Sequence, residues 1–355
     1  MTCMAGDLAA VERRHRRLKR LKDSQEVEKA NAALQLAWNS GLKPSAIRLR
    51  PELVSSARPV PAAEPVPPPV TQLLNPRGIA LRFYLIAVFE AHCRLAPGKR
   101  WAGTRRLQGL QGWTNFVAVD AAFSSVTGTY LRETKQERDA ETSRLRQLQG
   151  ALRTLEDVGV KRVQALVEVP KKANGRGRDY EDFRLMGESG RGPLHTPNLY
   201  SVPRPGDDAI AIPPDFFLRG WAHVLSPAEM ATWLALQELS QTYPARHEES
   251  GVYLYAKRRK EQFGLLRDSY EDSCNTLEAL GLIREVPQTR VVVTDKGPVE
   301  VSVGTSDSTS KLSFLYKPCR YQMIDEGLAA DALDKTTKEL IIRKHALERR
   351  QKNRE

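Results

Sequence analysis

Apolar residues recur at helical spacing through most of this chain and alternate only in short stretches. Residues 79–95 are apolar on nearly every side, broken by Arg82, Glu90, His92 and Arg94 alone. This predicts a buried helix ended by Pro97-Gly98. Residues 141–158 place Leu145, Leu148, Leu152 and Leu155 at spacings of 3, 4 and 3, one apolar stripe on an amphipathic helix. Ser226, Pro227 and Glu229 form a capping-box start, with Leu225 and Met230 set for a hydrophobic staple, and predict a helix over 227–240. Residues 256–263, a turn at Gly264 and a helix over 268–280 follow. Residues 8–38 read as helical throughout. Strand patterns fall at 163–169, 197–203 and 314–316. Residues 290–294 and 299–303 alternate around Asp295-Lys296-Gly297, a hairpin pattern. Residues 99–140 predict one or two short helices around 113–123 and a polar loop near 132–139.

Eight prolines fall between Pro44 and Pro69, a density that reads as an extended linker with no packed element, so the folded body is expected after it. A short motif then repeats. Thr154-Leu155-Glu156-Asp157-Val158-Gly159-Val160 matches Thr276-Leu277-Glu278-Ala279-Leu280-Gly281-Leu282, offset by 122 residues. Each copy closes an amphipathic helix at a glycine and leads into β-rich sequence, which points to a duplicated unit.

Helix, short helix, glycine-containing turn, helix and hairpin is the order of a winged helix-turn-helix domain. Residues 256–282, with their Leu277-Glu278-Ala279-Leu280-Gly281-Leu282 closure, resemble the turn-and-second-helix unit of bacterial winged-helix proteins. Two such units on a basic chain resemble plasmid replication initiators of the non-nicking kind, over roughly residues 75–320. The implied fold is α+β and mainly helical: a basic helical arm (1–40), a Pro-rich linker (41–74), two winged helix-turn-helix domains in tandem (75–206 and 207–325) and a basic C-terminal helix (326–355). The resemblance implies replication initiation on a plasmid or mobile element, by binding origin repeats without cutting them. A winged-helix transcriptional regulator and, from another class, a non-catalytic protein-interaction adaptor remain open.

In a winged helix the second helix of the turn motif reads the major groove and the wing touches backbone. With the leucine stripe inward, residues 141–158 present Ser143, Arg146, Gln147, Gly150, Arg153 and Thr154. Arginine can bond guanine O6 and N7 together, and glutamine adenine N6 and N7, so these are the base-reading candidates. Phosphate candidates are Lys171, Lys172, Arg176 and Arg178 in a glycine-containing wing, and Lys257, Arg258, Arg259 and Lys260 before the second motif helix. That second helix turns Asp268, Glu271 and Asp272 outward, so deep groove insertion is not expected of it.

The chain has 355 residues and a net charge of +12, with 41% hydrophobic and 28% charged residues, enough for buried cores. Residues 11–22 carry seven Lys or Arg against one Glu, adding Arg13, Arg14, Arg16, Arg17, Lys19 and Arg20 to the phosphate candidates. Residues 335–355 carry eight against three, so the two tails hold nearly all the excess. Leu333, Leu340 and Leu347 stand seven apart, a stripe that docks on its own domain or self-associates. Double-stranded DNA is therefore the expected partner, for a homodimer working with replication proteins of the host, in a cytoplasmic and nucleoid-associated setting without membrane. No secretory signal or spanning segment is expected. Cys3, Cys93, Cys274 and Cys319 are scattered without CxxC spacing, and the histidines are isolated, so no metal or cofactor is expected. His92 beside Cys93 reads as a core residue. Without Walker, GxSxG or HExxH motifs, the chain is not expected to be an enzyme.

Overall fold

The computed structural model describes residues 2–56, 66–74, 78–103, 105–120, 123–124, 129–130, 136–191, 198–294, 297–303 and 319–353, with backbone alone at 2–7, 123–124, 129–130, 136–140, 288–294 and 297–303. Its elements, in order, are α1 (Thr2–Asp23), α2 (Glu26–Ser40), β1 (Ile47–Leu49), α3 (Pro69–Gln72), α4 (Ala80–Arg94), β2 (Phe123–Ser124), β3 (Thr129–Tyr130), α5 (Gln136–Glu156), β4 (Val167–Glu168), β5 (Arg184–Leu185), β6 (Ile210–Ile212), α6 (Asp215–Leu218), α7 (Trp221–Val224), α8 (Pro227–Thr242), α9 (Pro244–Ser250), α10 (Ala256–Glu261), α11 (Arg267–Ala279), β7 (Ile283–Glu285), β8 (Gln288–Thr294), β9 (Gly297–Val303), β10 (Tyr321–Met323) and α12 (Ala332–Lys352). The fold is mainly helical, with short antiparallel strands.

Helix α4 runs where the apolar run predicts it, and every residue from Ala80 to Cys93 is buried. Helices α2, α5 and α7 and strand β1 lie against it. Strand β1 comes from the segment expected to be an unstructured linker. It pairs with β6 (Ile47↔Ile212, Leu49↔Ile210), and Leu53, Val54, Val70 and Leu73 are buried. Proline density is no bar here. Ile47, Leu49, Leu53 and Val54 fall between the prolines, and Pro69 takes the first turn of α3, where its missing N–H costs nothing. Residues 57–65 lie outside the described residues.

The N-terminal stretch is two helices rather than one, broken at Gln25, whose φ of 56° is left-handed. It is no free arm either. Val11, Leu18 and Leu21 of α1 are buried, as are Leu333 and Leu340 of α12, with Leu347 half-buried. Lys22–Asp334 (2.6 Å) and Glu12–Lys344 (3.0 Å) set α1 and α12 antiparallel. The leucine stripe of α12 thus docks within its own chain.

The repeated motif has a structural cause. Gly159 (φ 80°) and Gly281 (φ 66°) both take left-handed backbone. Leu166 N donates to Leu155 O and Leu282 N to Leu277 O, each at 2.9 Å. The glutamate of each copy then accepts a backbone N–H from the strand that follows: Val169 N to Glu156 Oε1 at 3.3 Å, Glu285 N to Glu278 Oε1 at 3.0 Å. Upstream, α5 packs on α4 and α11 on α8. Downstream, Val252 pairs with Tyr321 of β10 and β10 pairs with β7; in the first group Arg100 pairs with Ser201, Leu199 with Met186, and β5 with β4.

Local expectations divide. Ser226 and Glu229 make the reciprocal capping-box bonds, with Leu225 and Met230 buried beside them. Strands β8 and β9 form the expected hairpin, Arg290 opposite Val301. Helix α5 starts five residues before the expected boundary, taking part of the expected polar loop. The expected strand 163–169 shortens to β4 because residues 160–162 form a tight turn. The expected short helices at 113–123 reduce to a single turn, Trp113–Asn115. Residues 314–316 lie outside the described residues.

Two buried histidines carry a pH consequence. His92 is the core residue expected: Nε2 accepts from Arg48 N (3.0 Å) and Nδ1 donates to Val88 O (2.9 Å). Burial pushes it down to about 4. His223 is pushed down to about 3 by burial and by the Arg82 guanidinium. Unfolded, both titrate near 6.5, so below that pH the unfolded chain binds more protons and stability falls; above it these groups contribute no slope. Urea unfolding between about pH 6.5 and pH 4.5 is expected to lose up to roughly 1.4 kcal/mol per pH unit for each histidine. His223→Phe should flatten that slope, and an unchanged slope refutes the assignment.

Candidate nucleic-acid interface

Helix α5 buries Leu148, Ala151, Leu152 and Leu155 against the α4 side, as the leucine stripe predicts. Arg146, Gly150 and Arg153 are exposed at steps of 4 and 3, one row on the opposite face. A Cβ added at Gly150 would meet nothing within 4 Å, so the middle of the row looks onto open space. Thr154 and Ser143 are half-buried at its margins. Gln147 departs from expectation: its Nε2 donates to Asp120 O at 3.1 Å, which points the amide at the protein rather than at a base. Leu145, one turn before the stripe's centre, is only partly covered, and this rotates the free face away from Gln147.

Beside this row stands a hairpin. β4 and β5 pair through Val167↔Leu185, and Lys171 pairs with Arg178 farther out. The basic tip is an ordered turn, with Lys172 N bonded to Gly177 O (3.2 Å) and Gly175 N to Lys172 O (2.8 Å). Gly175 (φ 71°) and Gly177 (φ 85°) supply the left-handed backbone it needs. Lys171, Lys172 and Arg176 are exposed at this tip. Phe183, on the returning side, joins Phe83 of α4 with Trp101 and Trp113 in one aromatic cluster, with centroids 5.7 Å apart for Phe83–Phe183 and for Trp113–Phe183.

Arg178 is not free for phosphate. It folds back and pairs with Glu156, which is 4% exposed at the end of α5. Glu156 also takes the Val169 N–H and faces Arg162 at 4.0 Å. Arg153 donates to the Tyr180 hydroxyl and lies over its ring at 5.4 Å, so a second link joins the helix to the hairpin. Sequence reasoning missed Glu156 and Tyr180. The signal for Glu156 was its place in the repeated motif, since its counterpart Glu278 makes the same bond.

The other clusters divide between surface and interior. Lys257 and Lys260 are exposed, whereas Arg259 is buried, donates to Leu265 O (3.3 Å) and lies over Tyr270. Arg258 bonds Gln262 and stacks on Tyr243 and Phe263, so both arginines make their contacts within the protein. On α1, Arg13, Arg16 and Lys19 are exposed at three-residue spacing. Arg14 instead clamps the buried Glu229 with bonds of 2.5 and 2.8 Å, and Arg17 and Arg20 are half-buried. Helix α11 turns Asp268, Asp272, Asn275 and Glu278 outward, and Arg343 of α12 bonds its Thr276 at 3.2 Å. Acidic groups and a neighbouring helix thus occupy the face that a groove-reading helix keeps free.

No helix among the described residues is long and apolar enough to cross a membrane. Comparisons with protein-family models, curated proteins and solved structures return no match.

Removing the Glu156 carboxylate strands Arg178 and one strand N–H together. Glu156→Ala is expected to cost about 2 kcal/mol of stability and to speed trypsin cleavage between Lys171 and Arg178 under native conditions. Cleavage at the parent rate would show that Glu156 does not anchor the hairpin.

Proposed function

We propose that the chain is a sequence-specific double-stranded-DNA-binding protein built on two winged helix-turn-helix units, with α5 as base reader and the 171–178 turn as its wing. The observation that carries this reading is the exposed Arg146–Gly150–Arg153 row beside an ordered basic hairpin. Arginines on such a row can bond guanine edges, while Gly150 lets the helix backbone come close to the groove wall. Lys171, Lys172 and Arg176, with Lys257, Lys260, Arg13, Arg16 and Lys19, supply sequence-independent phosphate contacts. Ser143 and Thr154 border the row and complete the reading face.

The order over residues 227–323 is helix α8, short helix α9, a bridge at Val252, short helix α10, helix α11, strand β7, hairpin β8–β9 and strand β10; apart from the added α9 it follows the winged-helix order, and the bonds shared by the two motif copies support the tandem. The biological role proposed is initiation of replication on a plasmid or mobile element, as a homodimer at repeated sites and with host replication proteins. No catalytic step, metal or cofactor is assigned to it. The acidic outer face of α11 favours one second reading, an adaptor that holds a basic protein there; a repressor would use the same DNA surface as an initiator.

Selection of bound fragments from its own replicon or genome, followed by footprinting, is expected to give protection of a discrete repeat. Arg146→Ala and Arg153→Ala should each relax discrimination at one or two base pairs by about 1–3 kcal/mol. Lys171→Ala and Arg176→Ala should weaken all sequences alike and each lower the salt slope by about 0.9. If the Arg146 and Arg153 variants keep full sequence preference, α5 is not the reader. If duplex binding is absent or indifferent to salt, the adaptor reading replaces this one.

A further inference from the structure

The two longest runs of the chain without a charged residue are 30–42 and 107–119. In a protein of which 28% is charged, the fold brings these two runs together. Helix α2 lies against the Trp113–Asn115 turn, and both runs line one groove of about 350 Å³. Its apolar wall is Ala33, Leu36, Ala37, Leu42 and Phe116, with Leu36 and Leu42 exposed. The polar residues around them, Asn39, Ser40, Gln111 and Asn115, are exposed and uncharged. The charged residues that reach the groove answer one another: Arg94 and Arg105 both pair with the buried Glu90, each at 3.1 Å.

Beside the groove stands a leucine with no cover. Leu110 is 98% exposed, the most of any large apolar side chain among the described residues. Exposed leucines are ordinary when scattered, but this one is held out by its backbone. Its neighbours Gly109 (φ 94°) and Gln111 (φ 58°) both take left-handed conformation, which a glutamine adopts only under strain. The turn is fastened at its base. Trp113 N donates to Arg106 O (3.0 Å) and Thr114 N to Leu107 O (2.9 Å), while Gly109 O accepts from Gly112 N (3.0 Å) and Asn115 Nδ2 (2.8 Å). Being bare, Leu110 does not fill the groove that its neighbour Gln111 lines. A rigid apolar knob and an open apolar groove thus sit side by side on one charge-free face.

We propose that this face is the contact between two copies of the chain, with Leu110 of each copy entering the groove of the other. A two-fold axis lying in the face, midway between knob and groove, makes the two insertions equivalent, as an isologous contact requires. Charge argues for a second copy over an unrelated partner. Across a two-fold axis a surface meets itself, so a lysine or arginine near the axis faces its own image. A chain of net charge +12 therefore self-associates through a face that carries none. Charged residues are likewise depleted at the cores of protein interfaces. The inference rests on the homodimer of the proposed function, to which it gives a surface, and it is tested without DNA.

Sedimentation equilibrium of the full chain is the test, from about 0.1 to about 50 μM and at both about 0.15 and about 0.5 M salt. A dimer is expected at both, because salt does not screen an apolar contact. Leu110→Glu and Leu36→Lys, both at exposed positions, should each weaken it at least about tenfold with unchanged circular dichroism. Mixed in equal amounts, these two variants should recover the dimer, since the mixed pair keeps one native insertion and sets opposite charges at the other. Leu266→Glu, at an exposed leucine just before α11, should leave the dimer intact. A monomer at every concentration overturns this inference and the homodimer with it. A dimer that withstands Leu110→Glu, an equal loss in Leu266→Glu, or no recovery on mixing overturns the inference alone. Duplex binding by α5 stands or falls separately, on the footprint.

Discussion

Helix α4 has no face to give to water, and much of the rest of the molecule is arranged by that constraint. A helix apolar on every side must be covered on every side. One amphipathic helix covers only a stripe, so α2, α5, α7 and β1 are all drawn around it. The proline-rich segment folds for a related reason: its strand β1 packs on α4 and its short helix α3 on α8. The same constraint is why α5 has a fixed inner face. With Leu148, Leu152 and Leu155 committed to the core, Arg146, Gly150 and Arg153 can only point outward.

Charge in this protein is largely internal wiring. Arg14 holds Glu229, Arg50 holds Glu188, Arg94 and Arg105 share Glu90, Arg144 holds Glu26, and Arg178 holds Glu156. Each carboxylate in these pairs is buried and each arginine reaches in from a more exposed position. Such pairs add little net stability over apolar replacements, but losing one partner strands a charge in the interior. They therefore specify which segments meet: α1 with α8, β1 with the loop after β5, α2 with α5, the hairpin with α5. A basic count along the sequence overstates the number of cations available to an anionic partner.

The regular helices and the repeated closure were legible in the sequence because both rest on local chemistry: apolar spacing, a capping box, a glycine with left-handed backbone. Boundaries near residues 136 and 163 were not legible, because tertiary bonds decide them. The site was legible in part. Arg146 and Arg153 followed from helical periodicity alone. The inward turn of Gln147 depends on a carbonyl in a distant loop, and the retreat of Arg178 and Arg259 depends on a buried carboxylate and an aromatic ring. No pattern of charges along the chain encodes those partners. The packing of the proline-rich segment is hidden for a related reason, since proline density describes the backbone while the four apolar residues between prolines describe the packing.

The antiparallel union of α1 and α12 places an early part of the chain against a part made more than 300 residues later. At ordinary rates of synthesis that interval is roughly 15–60 s. Throughout it, Val11, Leu18 and Leu21 have only part of their cover. Glu229, still unmade at first, is missing as the partner of Arg14. The nascent chain thus exposes a strongly basic amphipathic helix, which the finished protein shows only on its charged side. Any role for that apolar stripe belongs to the period of synthesis, before α12 closes over it.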